Sequence, residues 1–121
     1  MSRATQKGTW FESRVADYLE SRLETGYIER KAKSGSEDQG DIAGVRLPNG
    51  GRVAVECKNR SKYELAAWLA EARTEALNYR ADVGVVVFKR PGVGAARMGD
   101  QFVLMGLEEF ARLLWAVPNG R

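Results

Sequence analysis

The sequence predicts one mixed α/β domain with its elements in the order α-β-β-β-α-β-β-α. Three observations carry that expectation. Val83–Phe88 is a continuous apolar, β-branched run, the mark of a strand covered on both faces. A helical stripe separates that run from an earlier strand over residues 52–59, and strand, helix, strand implies a crossover packed on the sheet. Residues 41–47 and 52–59 flank Pro48-Asn49-Gly50-Gly51, strong turn chemistry for an antiparallel hairpin. A chain of 121 residues is long enough for one core and too short for two, so the expected domain covers residues 1–121.

The elements follow in order. Residues 1–8 are polar and are expected to be loose. Thr9-Trp10-Phe11-Glu12 reads as a capping box, with Phe11, Val15, Leu19 and Leu23 at helical spacing behind it. Gly26 stops that helix. Residues 27–31 form a short strand, and residues 33–40 a polar, glycine-containing loop ahead of the hairpin. Ser61-Lys62-Tyr63-Glu64 is a second capping box, opening a helix with Leu65, Trp68, Leu69, Ala72, Ala76 and Tyr79 along one stripe. Residues 92–99 read equally as a mobile loop over a substrate or as a plain connection. Residues 101–105 make a last strand, and Leu107–Trp115 a last helix with Leu107, Phe110, Leu113 and Leu114 inward. Trp68 and Trp115 are expected in the core or in a dimer contact, while Trp10 remains open to stacking on a base.

Composition removes whole classes of chemistry. No apolar run approaches the roughly 20 residues of a membrane span, and no apolar leader opens the chain, so a cytoplasmic protein is expected. With 0 histidines there is no histidine triad or histidine general base, and with 1 cysteine there is neither an internal disulfide nor a Cys/His zinc site. Hydrolysis here would have to come from carboxylates, lysine and a metal. The net charge of +3 is a mild pointer to a polyanionic partner, and its distribution says more. Between Asp82 and Asp100 no acidic residue occurs, whereas Lys89, Arg90 and Arg97 do.

The most informative segment is Arg52-Val53-Ala54-Val55-Glu56-Cys57-Lys58-Asn59. Side chains two apart in a strand share a face, so Val53, Val55 and Cys57 form an apolar face and Glu56 and Lys58 point the other way. If the turn pairs Leu47 with Arg52, Asp41 lies opposite Lys58 and Ala43 opposite Glu56. Asp41, Glu56 and Lys58 then emerge together, with the two carboxylates diagonal neighbours some ~7–8 Å apart at the backbone. Two such carboxylates share a hard divalent cation such as magnesium, with manganese as a substitute. A cation-held water loses its proton easily, and Lys58 would orient it or offset charge on a phosphate. An ordinary cross-strand ion pair on a solvated face is the plain alternative. Cys57 reads as a small buried apolar residue, and Lys89 and Arg90 as solvent-facing or as phosphate contacts.

Gly40-Asp41 followed by Glu56-Cys57-Lys58 resembles the bipartite signature of the PD-(D/E)XK nucleases, metal-dependent phosphodiesterases with an αβββαβ, restriction-endonuclease-like core. Gly8-Thr9-Trp10-Phe11-Glu12, then Arg30-Lys31-Ala32-Lys33-Ser34-Gly35-Ser36, then Gly40-Asp41-Ile42-Ala43 is similar to the archaeal-type Holliday junction resolvases, including versions carried by phages. The resemblance implies that Asp41, Glu56 and the carbonyl of Cys57 ligate magnesium, that Lys58 assists the attacking water, and that Glu12 completes the metal site. It implies that Arg30, Ser34 and Lys89 fall at or near positions touching the DNA backbone and that the enzyme is a homodimer, and Lys33 and Arg90 are further candidate DNA contacts. Gly40 stands where the family usually has proline, and Ser13 where a basic residue is common. Glu12 has a second reading, as the far half of its capping box.

The expected function is therefore a magnesium-dependent endonuclease for branched DNA, most directly a Holliday junction resolvase acting in DNA recombination or repair. A nuclease for flaps or single-strand ends shares the same core. A non-catalytic DNA-binding protein of the same fold, or a protein-interaction domain, would leave the carboxylates without a catalytic role.

Overall fold

The computed structural model describes residues 2–32 and 37–116. Within them the chain forms a five-stranded mixed sheet with three α-helices. The order is α1 (Arg3–Leu23), β1 (Glu29–Arg30), β2 (Ile42–Ala43), β3 (Val53–Lys58), α2 (Leu65–Tyr79), β4 (Val83–Phe88), a 3-10 segment (Ala95–Asp100), β5 (Phe102–Leu104) and α3 (Leu107–Trp115). The strands lie side by side in chain order. Only the β3–β4 pair is parallel, because only there does a helical crossover return the chain to the same end of the sheet.

The two faces of β3 separate as period two requires. Val53, Val55 and Cys57 join Phe11, Val15 and Ala16 of α1 in one core. On the other face Trp68 and Ala72 of α2 pack on Val86 and Phe88 of β4. Trp68 meets Phe88 edge-on with ring centroids 5.5 Å apart, and Tyr63 does so at 4.9 Å. Gly84 allows the approach of α2, since a Cβ there would collide with the carbonyl oxygen of Ala72.

The element order is the expected one, and several local details differ. Helix α1 begins at Arg3, well before Thr9, with the Ser2 hydroxyl accepting from the Thr5 N–H as its cap. Residues 3–8 are thus helical, and Glu12 lies in mid-helix with no capping duty. The second capping box is not used either: Glu64 is the N-cap of α2 and no side chain caps it. The 3-10 segment is kinked at Arg97. It packs on α1, with Met98 against the core and the Tyr18 hydroxyl close to Gly99.

The hairpin register also differs. Arg46 bridges Arg52, and Ile42 pairs with Val55, so one more residue lies between Ile42 and Arg46 than between Arg52 and Val55. The extra residue is absorbed near Gly44, whose φ of +90° suits glycine alone and whose Cα sits against the Tyr27 carbonyl. At Ile42 the slip from the expected pairing is two residues, which leaves Asp41 and Ile42 on their expected faces, whereas at Arg46 it is one, which turns Val45 and Leu47 into the core beneath α1. The slip at Ile42 brings Asp41 beside Glu56 instead of Lys58.

Helix α3 turns differently from its apolar pattern. Leu107, Phe110 and Leu114 are exposed, Leu113 is half-buried, and Glu109 is the buried residue. The Arg73 guanidinium of α2 takes hold of Glu109 with two hydrogen bonds, at 3.0 and 2.9 Å, and that fork sets the rotation of α3. Trp115, expected in a core or a dimer contact, is largely exposed. No helix among the described residues is long and apolar enough to cross a membrane.

Candidate active site

The parallel strands β3 and β4 end side by side, with the Lys89 N–H donating to the Lys58 carbonyl at 2.9 Å. At that carboxyl end lies a polar cavity of about 170 Å³ between the start of α1 and α2. Its walls include Glu12, Asp38, Asp41, Glu56, Cys57, Lys58 and Glu71. The carboxyl end of parallel strands is where open α/β sheets place their ligands. A larger cavity of about 490 Å³ occupies the opposite end, by Leu47, Asp82 and Trp115, and Asp82 is the only acidic residue in its lining.

Asp41 reaches the site because Gly40 bends the chain in front of β2. Gly40 has φ +97° and a Cβ there would come within 3.0 Å of the Val55 carbonyl oxygen. Proline, locked near −65°, cannot take this conformation. The Gly40 N–H donates to the Asp38 carboxylate at 3.0 Å, and the Asp41 N–H to the Val55 carbonyl at 2.7 Å. The Asp41 side chain, itself buried, accepts from the Cys57 N–H at 2.8 Å. Asp41 is thereby tied to β3 by backbone at both ends.

Glu56 and Lys58 form a contact of 3.2 Å, and the Lys58 ammonium lies 3.0 Å from both carboxylate oxygens of Glu71. Burial pulls the Lys58 pKa down, yet Glu71 and Glu56 outweigh it and the net shift is upward. Lys58 is therefore a held cation and not a base. Glu56 is raised to about 11, first by burial and then by Glu71, Asp41 and Glu75. Burial also raises Glu71, but its contacts with Glu56 and Lys58 prevail and lower it. Glu56 thus carries the proton and Glu71 the charge. Burial pushes the Cys57 thiol well up, as suits a core residue.

The structure brings Asp41, Glu56, Cys57 and Lys58 together around the cavity, with Glu12 at its rim. Glu12 also accepts from Arg30 Nε at 2.9 Å, so an expected metal ligand and an expected DNA contact are paired with each other. Lys89 lies half-exposed just past β4, and Arg90 places its guanidinium 5.4 Å from the centre of the Phe102 ring. Lys33 and Ser34 lie outside the described residues.

Three acidic residues that the sequence reading passed over belong here. Asp38, Glu71 and Glu75 join Glu56 in a group whose oxygens all lie within 4.8 Å of one another, and this group could hold a metal ion. Glu75 is 1% exposed and neither of its oxygens has a hydrogen-bond partner; the same holds for Glu56 Oε1. The signal was present: Glu75 falls inside the apolar stripe of α2, between Ala72 and Ala76. No family model matches the chain, and neither a curated protein nor a solved structure matches it.

Proposed function

We propose that the chain is a magnesium-dependent endonuclease for branched DNA, with a four-way junction as its preferred substrate. One observation carries the reading: Asp41, Glu56 and Lys58 converge on one polar cavity at the carboxyl end of the parallel strands. The element order α-β-β-β-α-β, with β1 to β3 antiparallel and β4 parallel to β3, is in keeping with the restriction-endonuclease-like core that the Gly40-Asp41 and Glu56-Cys57-Lys58 resemblance implies.

A divalent cation suits these residues on the chemistry of the site itself. Glu56 Oε1 is buried without a partner, and a hard cation satisfies an oxygen that no donor reaches. Asp41 and Glu56 would hold the ion, which when bound supplies a water acidic enough to attack phosphorus at neutral pH. The Cys57 N–H fixes the Asp41 carboxylate in place. Lys58, kept cationic by its carboxylate neighbours, is set to offset charge growing on the phosphate oxygens. Arg60 lines the cavity, and Lys89 and Arg90 follow β4 at the same end of the sheet; these cations would supply non-specific attraction for the DNA backbone.

A homodimer would place two such cavities on two strands. Its support is exposed apolar side chains, Leu107, Phe110 and Leu114 on α3 and Val103 on β5, a strand paired on one side only among the described residues.

The test is cleavage of an end-labelled four-way junction by wild type and Asp41→Asn, in magnesium and in chelator. The expected result is cutting by wild type in magnesium alone. An intact junction in every lane sinks the reading; cutting only of flaps or single-strand ends in a parallel panel replaces the substrate and keeps the chemistry.

A further inference from the structure

Glu75 poses a problem that the site described so far does not solve. It belongs to α2, it is almost wholly enclosed, and its two oxygens lack any donor. Its polar neighbours are the acids Glu56 and Asp38, and the single proton that Glu56 carries cannot serve Glu71 and Glu75 at once. Lys58 contacts Glu56 and Glu71, and neither oxygen of Glu75 takes part in a hydrogen bond. A buried acid without a counter-charge is costly to ionise, and three further acids with oxygens within 4.8 Å add to that cost.

Such a concentration of hard oxygen ligands is what a divalent cation requires. Glu71 and Glu75 are one turn apart on α2 and so project from the same face of the helix. Glu56 comes from β3 across from them, and Asp38 closes the group from the segment leading into β2. Three separate elements thus direct oxygens at one point, which a merely solvated acidic face does not do. Asp38 and Glu71 also line the 170 Å³ cavity, so an ion has a route in from solvent.

We infer that Glu71 and Glu75 of α2, with Glu56 and Asp38, form a second site for a magnesium- or manganese-sized cation, distinct from the one assigned to Asp41 and sharing only Glu56 with it. The site neutralises Glu75 inside the protein. It also competes with Lys58 for Glu71, so that filling it releases the lysine ammonium toward the cavity. The assignment does not depend on DNA cleavage, because cation binding alone reads it.

The experiment is a titration of the cation-free protein with Mn2+, following loss of the free-ion electron paramagnetic resonance signal. Wild type, Glu75→Gln, Glu71→Gln and Asp41→Asn are compared, with circular dichroism confirming each fold. Wild type is expected to take up about two ions per chain, and each α2 variant about one. Asp41→Asn is expected to keep the α2 ion. Equal uptake by wild type and Glu75→Gln overturns the proposal, as does complete loss of uptake in Asp41→Asn. A single ion lost in Glu75→Gln and retained in Asp41→Asn supports the α2 site while counting against the metal site of the proposed nuclease. A single ion with the reverse dependence does the opposite.

Discussion

Lys58 and Glu71 face each other from β3 and α2, the ammonium 3.0 Å from both carboxylate oxygens. The lysine that the resemblance makes catalytic is therefore held by an acid from a different element. Its charge is secured by that contact, and Lys58→Ala removes the one positive group beside Glu56. Cleavage of a branched substrate should fall by at least ~100-fold, the usual effect of losing a group that stabilises transition-state charge. Junction affinity, measured by fluorescence anisotropy, should change no more than a few-fold. Loss of affinity in proportion to activity would show that Lys58 only binds.

Asp41→Asn separates binding from chemistry in another way. The amide oxygen can still accept from the Cys57 N–H, so the hairpin keeps its anchor. The charge needed for a cation is gone. Cutting should disappear, and DNA affinity should hold or tighten, because one repelling anion has been removed near the phosphate path. Anisotropy over a salt series, with parallel slopes for variant and wild type, checks it.

Much of this arrangement was legible in the sequence, and the failures have physical causes. The face of β3 followed from alternation alone, and Asp41 kept its expected side because the slip at that end of β2 was an even number of residues. The bulge behind the slip depends on Gly44 meeting the Tyr27 carbonyl, a contact between segments that no local pattern encodes. Both capping boxes were present as motifs and neither is used, because helix starts follow tertiary packing as much as local signals. Glu75 and Glu109 misled for a common reason. Each is buried for a polar purpose, Glu75 on an apolar stripe for the carboxylate group and Glu109 off its helix's apolar stripe for Arg73. A stripe count reads such residues as solvent-facing.

Gly40 offers a backbone test of the site. At φ +97° any side chain is strained by roughly 1–3 kcal/mol, and its Cβ would press on the Val55 carbonyl. Gly40→Pro, the residue usual in the family's motif, also removes the N–H that binds Asp38. Both Gly40→Ala and Gly40→Pro should lower the urea midpoint, proline more, and cleavage should fall with them as Asp41 is displaced. An unchanged midpoint for proline would mean that this bend is not needed.

The ion pair joining α2 to α3 gives a pH signature. Arg73 holds the Glu109 carboxyl below its ordinary value of 4.5, against a smaller opposing effect of burial. The folded state thus prefers ionised Glu109 more than the unfolded chain does. The stabilisation is present above pH 4.5 and is lost as pH falls through the depressed value. Glu109→Gln should therefore melt below wild type at pH 7, and the gap between the two midpoints should close as pH falls through the depressed value. Thermal scans across pH 3–7 measure the convergence, and a constant gap would assign the effect to packing.

The rotation of α3 that buries Glu109 has a consequence for assembly. It turns Leu107, at 82% exposure, together with Phe110 and Leu114 outward, and Val103 on the outer strand β5 is exposed as well. A helix and an edge strand presenting apolar side chains to water lose free energy when a second copy covers them. Because these side chains contribute little to the chain's own core, Phe110→Glu should leave the folded structure and the thermal transition nearly unaltered. It should instead set a buried charge against its own copy across a two-fold contact, where like charges meet by symmetry. Sedimentation velocity should then show wild type as a dimer and Phe110→Glu as a monomer, with Arg14→Ala on α1 as a surface control that remains dimeric. A wild-type chain that sediments as a monomer removes the two-cavity arrangement, and cleavage of a junction would then have to proceed one strand at a time.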